Sequence, residues 1–97
     1  MKRVSFTPLA EADLEGIGDY IAQDNPRRAL SYLAELRSQC AKIALAPLAY
    51  RARPEFDKHL RSCAHGHHVI FFQPVDADVL IVRILHGAQD TQAQFLE

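Results

Sequence analysis

The sequence predicts an α+β domain. An N-terminal strand precedes an antiparallel helical hairpin, which packs on one face of a small, mainly antiparallel sheet in the order β-α-α-β-β-β. Three observations predict this. Two neighbouring segments, 10–21 and 29–43, repeat apolar residues at helical spacing across a single Asn-Pro step. Residues 59–86 then break into short β-rich runs divided by turn residues. Finally, 97 residues suit one domain, taken as 1–97.

The first element is "KRVSFT", which alternates with Val4 and Phe6 on one side and reads as a strand. It stops at Thr7-Pro8. Thr7 can accept from the first free helical N–H groups, and Pro8 fits the first helical position, where its missing N–H is no loss. The first helix runs to about Gln23, with Ala10, Leu14, Ile17 and Ile21 as one apolar stripe. Gly16 and Gly18 each cost about 1 kcal/mol against alanine and leave room for another backbone to come close. Asn25 and Pro26 punctuate, and the second helix runs to about Ala46 on a stripe of Ala29, Leu33, Leu36, Cys40 and Ile43. So short a link forces an antiparallel hairpin.

Residues 47–58 show no period, contain two prolines and read as a surface loop. Three strands follow: "HLRSCA", then "HHVIFFQ" after a turn at Gly66, then "DVLIVRILH" after the turn "PVDAD". Short links make them antiparallel neighbours. The last two are apolar on both faces, with Ile70 and Phe72 against Val69 and Phe71, and Leu80, Val82 and Ile84 against Val79, Ile81 and Leu85. One helical hairpin covers one face only. The other is expected to be covered by the C-terminal tail, a second copy or a partner chain, which points to binding.

Composition excludes several classes. With 48% hydrophobic and 24% charged residues the chain is not disordered. The longest apolar runs, "VIFF" and "VLIV", are far short of a membrane span, and no signal peptide is read, so a cytoplasmic protein is expected. A net charge of −1 argues against stable nucleic-acid binding by the chain alone. The charge is nevertheless segregated. Residues 8–25 hold five acids and no base, whereas 27–61 are predominantly basic. Cys40 and Cys63 are expected as reduced thiols packed as small hydrophobes, with a disulfide open if helix and strand meet.

Five histidines, His59, His65, His67, His68 and His86, invite a metal, but no spacing resembles a zinc site, and neither metal nor cofactor is expected. No serine sits in a nucleophile elbow and no Gly-rich phosphate loop occurs. Arg61 and Arg83 lie on predicted strands. With His86 they form a set able to hold a phosphate and move a proton in RNA cleavage. Alternatively, Arg83 pairs with an acid such as Asp90 or Glu11 and fixes the tail.

The opening "P-x-A-E-x-D-L" with "I-x-x-Y-I-A", followed by "LRS", "HVIFFQP" and the closing "R-I-L-H-G-A-x-D", resembles the ParE branch of the RelE/ParE toxins over nearly the whole chain. That resemblance implies the fold just described and a small cytoplasmic toxin of a type II toxin–antitoxin system. It implies a ParD-like antitoxin bound in a hetero-oligomer, DNA gyrase as target, and growth arrest and plasmid stabilisation as consequences. It implies no chemistry of its own. On this reading Arg51, Arg53, Arg61, Arg83, His86, Asp90 and Phe95 are the candidates for target or antitoxin binding. The alternatives are a RelE-like mRNA endoribonuclease using Arg61, Arg83 and His86, or an inactive antitoxin-binding homologue. The chain departs from the nuclease pattern: its loop has Lys58 rather than a lysine cluster, and its tail has Phe95 rather than a tyrosine. Gly18 also stands where relatives often carry a large aromatic residue.

Overall fold

The computed structural model describes residues 3–87. Strand β1 (Val4–Phe6) leads into helices α1 (Pro8–Ala22) and α2 (Pro26–Leu45). A 3-10 turn over Pro47–Ala49 precedes β2 (Arg51–Ala52), β3 (Arg61–His65), β4 (His68–Val75) and β5 (Asp78–His86). One sheet results, in the order β1-β5-β4-β3-β2. β1 runs parallel to β5 and the other pairs are antiparallel. The expected class holds with one addition: residues 47–58 are not wholly loop. Arg51 and Ala52 pair with Ser62 and Arg61 as a fifth strand, too short to show a period in the sequence. No helix among the described residues is long and apolar enough to cross a membrane.

Both helices begin as their sequences require. Thr7 Oγ1 accepts from Ala10 N–H at 3.0 Å, and Asn25 Oδ1 accepts from Arg28 N–H at 3.0 Å. Thr7 also ties α1 to the sheet, donating through Oγ1 to the Val82 carbonyl at 2.7 Å and through its N–H to Ile81 at 3.0 Å. The hairpin closes over Gly18, where an added Cβ would meet Leu33 Cδ1 at 2.8 Å. Gly16, by contrast, faces open space.

The main core lies between the hairpin and the sheet. Leu14, Leu36, Cys40 and Ile43 meet Ile70, Phe72, Val79, Ile81 and Ile84 there. Burial pushes the Cys40 thiol up to about 12, so it packs as a hydrophobe, and both cysteines are free. The strict alternation expected for β5 fails at one point. Phe71 pairs with Arg83 but Phe72 pairs with Ile81, so Val82 is an extra residue and the strand bulges. The bulge puts Ile81 and Ile84 into the same core although they are an odd three positions apart.

The second sheet face also departs from expectation. It is covered in part by the chain's own segment 53–60. Phe56 and Leu60 pack with Val69, Phe71, Val82 and Leu85. The Arg53 guanidinium lies 5.0 Å from the Phe56 ring centre and 5.7 Å from that of Phe71. Segment 53–60 reaches back because Arg53 N–H donates to the Leu60 carbonyl at 2.8 Å.

The turn at Gly66 is tight, as expected, and the one after β4 is tighter than the sequence indicated. His65 pairs with His68 around Gly66, whose φ of +58° suits glycine. Val75 pairs with Asp78, so Pro74 belongs to β4 rather than to a turn. β3 has already ended at that level, pairing no further than Phe72, and proline's missing N–H costs no bond to it.

A histidine-lined groove beside the first helix

β1 ends at Phe6, opposite Ile81, while β5 continues to His86. Beyond that level α1 takes the place of a neighbouring strand. Asp13 Oδ2 accepts from the Ile84 backbone N–H at 2.9 Å and from Arg83 Nε at 2.8 Å, and Oδ1 accepts from the second guanidinium nitrogen at 2.9 Å. Both side chains are only 15% exposed. One carboxylate thus caps the strand edge and neutralises the arginine that the bulge leaves half-buried. Among the described residues the acid is Asp13; of the two acids expected, Glu11 lies 4.0 Å from Arg37 instead, and Asp90 lies outside the described residues.

Past this clamp, α1 and the end of the sheet diverge around a groove of about 810 Å³. One wall is Gly16, Ile17, Tyr20 and Ile21 of α1. The facing wall is Ile84 and His86 with the β3–β4 turn, Gly66 to His68, and Arg28 and Tyr32 of α2 complete it. Tyr20 is 75% exposed, an aromatic ring presented to solvent at the rim.

The histidines gather because two-residue turns and register bring them together. His68 pairs with both His65 and His86 across the strands. The His67 and His86 rings stack at 6.1 Å, and His68 meets His86 edge-on at 5.4 Å. Buried Tyr32 Oη lies 2.7 Å from His68 Nδ1. His65 Nε2 lies 3.2 Å from Glu35 Oε1, while Arg28 donates to Glu35 Oε2 at 2.6 Å and covers the Tyr32 ring at 5.1 Å. Burial, then the neighbouring His86, His67 and His65, hold His68 below the usual imidazole range. Burial and then Glu35 raise Tyr32, and the bond from Arg28, then that to His65, lowers Glu35. Among the described residues no group of three or more His, Cys, Asp or Glu is arranged to hold a metal ion. His59 stands apart from the cluster, its N–H donating to Asp57.

Of the candidates named from sequence, His86 lines this groove. Arg83 adjoins it through its clamp to Asp13. Arg61 is elsewhere, across β4, donating to the carbonyl oxygens of Tyr50 at 2.7 Å and Leu48 at 3.5 Å. Arg53 packs on the second sheet face, bonded to Glu55 at 2.8 Å and Ser62 at 3.2 Å. Arg51 is exposed on β2. Asp90 and Phe95 lie outside the described residues. Sequence reasoning missed Asp13, Arg28, Tyr32 and Glu35. Asp13 carried a signal: it lies three residues after Ala10 and four before Ile17, an acid on the edge of an apolar stripe.

The match to a family model covers residues 4–91, and the family is the ParE toxin of the type II toxin–antitoxin system parDE. No curated protein matches the sequence significantly. Among solved structures, a chain of the chromosomal ParDE toxin–antitoxin system from P. aeruginosa matches with a TM-score of 0.75 at 21% identity. That match spans 89% of this chain and 96% of the other, and the likeness is one of fold. With its strand, hairpin and mixed sheet, and a family match over nearly its full length, the chain belongs to the ParE toxins of type II toxin–antitoxin systems.

Proposed function

We propose that this toxin acts by binding, with DNA gyrase as its target and a ParD-like antitoxin as its neutralising partner, and that it carries out no reaction of its own. The observation that supports this beyond family membership is the employment of its two strand arginines. Arg83 is clamped by Asp13 at a strand edge, and Arg61 holds the backbone carbonyls of Leu48 and Tyr50. A nuclease needs such groups turned towards a phosphate. Here they hold the protein together, and they are bound to different partners on either side of β4. Surfaces open to a partner among the described residues include the groove beside α1, with Tyr20 at its rim, and exposed Arg51. Exposed aromatic and arginine side chains are the residue types most able to anchor a protein interface.

A second reading, RelE-like cleavage of mRNA, is favoured by one observation: His86 sits in a cluster of imidazoles able to exchange protons. Expression in a bacterial host, alone and with the antitoxin, separates the two. Growth arrest relieved by the antitoxin, with mRNA intact by primer extension, supports the binding reading. Discrete mRNA cleavage that disappears in an Arg83→Gln variant would overturn it. No arrest at all identifies an inactive antitoxin-binding homologue.

A further inference from the structure

The two cysteines line neither the groove nor the clamp, yet the fold brings them to one seam. Cys40 lies on α2, in the spacing that also buries Leu36 and Ile43, and is 1% exposed. Cys63 lies on β3, paired with Ile70 of β4, which is part of the main core. Strand alternation divides β3. Ser62 turns to the second face, where Arg53 donates to it at 3.2 Å, and Cys63 turns to the hairpin. There Cys63 packs, half-buried, against the cluster that contains Cys40. Gln39, the residue before Cys40, donates through Nε2 to Cys63 Sγ at 3.3 Å. After burial, the neighbour that most raises the Cys40 thiol is Cys63 itself, and Arg37 opposes it. The two thiols thus face each other across the junction of helix and sheet, one sealed in the core and one open at its edge.

We propose that Cys40 and Cys63 form a redox site, which a low-molecular-weight disulfide such as oxidised glutathione converts to an intramolecular disulfide. Cys63, the accessible thiol, loses its proton to water, and its thiolate attacks one sulfur of the reagent. The reagent S–S bond breaks, one glutathione leaves as thiolate, and a mixed disulfide remains on Cys63. The Cys40 thiolate then attacks the Cys63 sulfur and expels the second glutathione. Two protein thiols are oxidised, and one reagent disulfide is reduced to two glutathione thiols. Gln39 positions Cys63, its side-chain N–H favouring negative charge on that sulfur. Burial holds both thiols above the usual range, so the first attack is slow at neutral pH and about tenfold faster for each pH unit towards the Cys63 value. At pH 8 a thiol at about 12 is ionised to about one part in ten thousand. Proximity offsets this, since well-oriented groups reach effective molarities of about 10⁵ M or more. The product staples α2 to β3 and constrains the unfolded chain between residues 40 and 63.

The test is incubation of the reduced full chain with oxidised glutathione at pH 8, with trapping of free thiols and mass spectrometry of the intact protein and its non-reduced peptides. Wild type is expected to pass through a short-lived glutathione adduct to a monomer lighter by two hydrogens, with Cys40 and Cys63 joined. Cys40→Ala should stop at a lasting adduct on Cys63, and Cys63→Ala should form none, because Cys40 is sealed in the core. Circular dichroism checks that both variants fold. Should Cys40→Ala fail to fold, the wild-type product and Cys63→Ala still decide. Oxidised wild type is expected to melt higher by on the order of 10 °C, a gain that dithiothreitol reverses. A lasting adduct on wild type, a disulfide between two chains, adduct formation in Cys63→Ala, no reaction, or an oxidised form that melts lower than the reduced one overturns the proposal.

Discussion

Replacing Asp13 by alanine is the perturbation with the largest consequence worked from the structure. The change strips three hydrogen bonds at once, two from the Arg83 guanidinium and one from the Ile84 N–H. Breaking a fully buried ion pair costs about 3–5 kcal/mol. At 15% exposure, solvent and rotation of Arg83 recover part of that. An unsatisfied N–H adds about 1–3 kcal/mol where water cannot reach it. A net loss of about 2–4 kcal/mol is expected, a large share of the roughly 5–15 kcal/mol that holds a typical domain. For a chain of this size that lowers the Tm by on the order of 10–25 °C. Urea unfolding of wild type, Asp13→Ala, Arg83→Met and the double variant measures it. The double variant is expected to lose less than the sum of the two single variants, because both break the same ion pair. A loss below about 0.5 kcal/mol for Asp13→Ala, or strictly additive single effects, would refute the clamp.

The same packing has further consequences. Gly16→Ala is expected to stabilise by about 1 kcal/mol, seen as a raised urea midpoint, since its Cβ meets nothing. Gly18→Ala should fall short of that gain, because Leu33 must move aside from a 2.8 Å contact. Gly66→Ala should destabilise by more than the roughly 1–2 kcal/mol of its left-handed backbone alone, because its Cβ would lie 2.7 Å from Tyr32 Oη. Tyr32→Phe in that background should recover part of the loss. His68 has a folded pKa below its unfolded value, so the unfolded chain binds more protons. Its contribution is present above an unfolded value of about 6.5 and is lost as pH falls towards the folded value. Urea midpoints of wild type should therefore drop between about pH 7 and pH 5, and less steeply in His68→Asn.

Much of this architecture was legible because single residues carry it. Thr7-Pro8 and Asn25-Pro26 announce the helix starts, and the 4-3-4 stripes announce the hairpin. Gly66 announces the turn. What escaped was set by relations between distant segments. The bulge at Val82 leaves no mark in an apolar run, because any residue of "VLIV" can be the extra one. The second face of the sheet read as needing the C-terminal tail, a second copy or a partner, since nothing in "RPEFDKHL" shows that Phe56 and Leu60 fold back over Phe71. The arginines were legible as charges on strands but their partners were not. Arg83 finds an acid 70 positions earlier, and Arg61 finds carbonyl oxygens that no side-chain pattern encodes. The histidine cluster is intermediate. Pairing His65 with His68 follows from the Gly66 turn, whereas bringing in His86 and Tyr32 requires the register of β5 and the seating of α2.

The most direct test of action by binding gyrase is plasmid linearisation. Purified protein is incubated with DNA gyrase, ATP and supercoiled plasmid, then treated with protease, and linear DNA is scored. Linear plasmid that requires both gyrase and this protein is the expected result. It should persist at full yield in an Arg61→Met variant shown to be folded, because Arg61 holds a turn rather than a phosphate. Absence of linear plasmid from a protein that still arrests growth would contradict action through gyrase and direct attention to RNA and the imidazoles around His86.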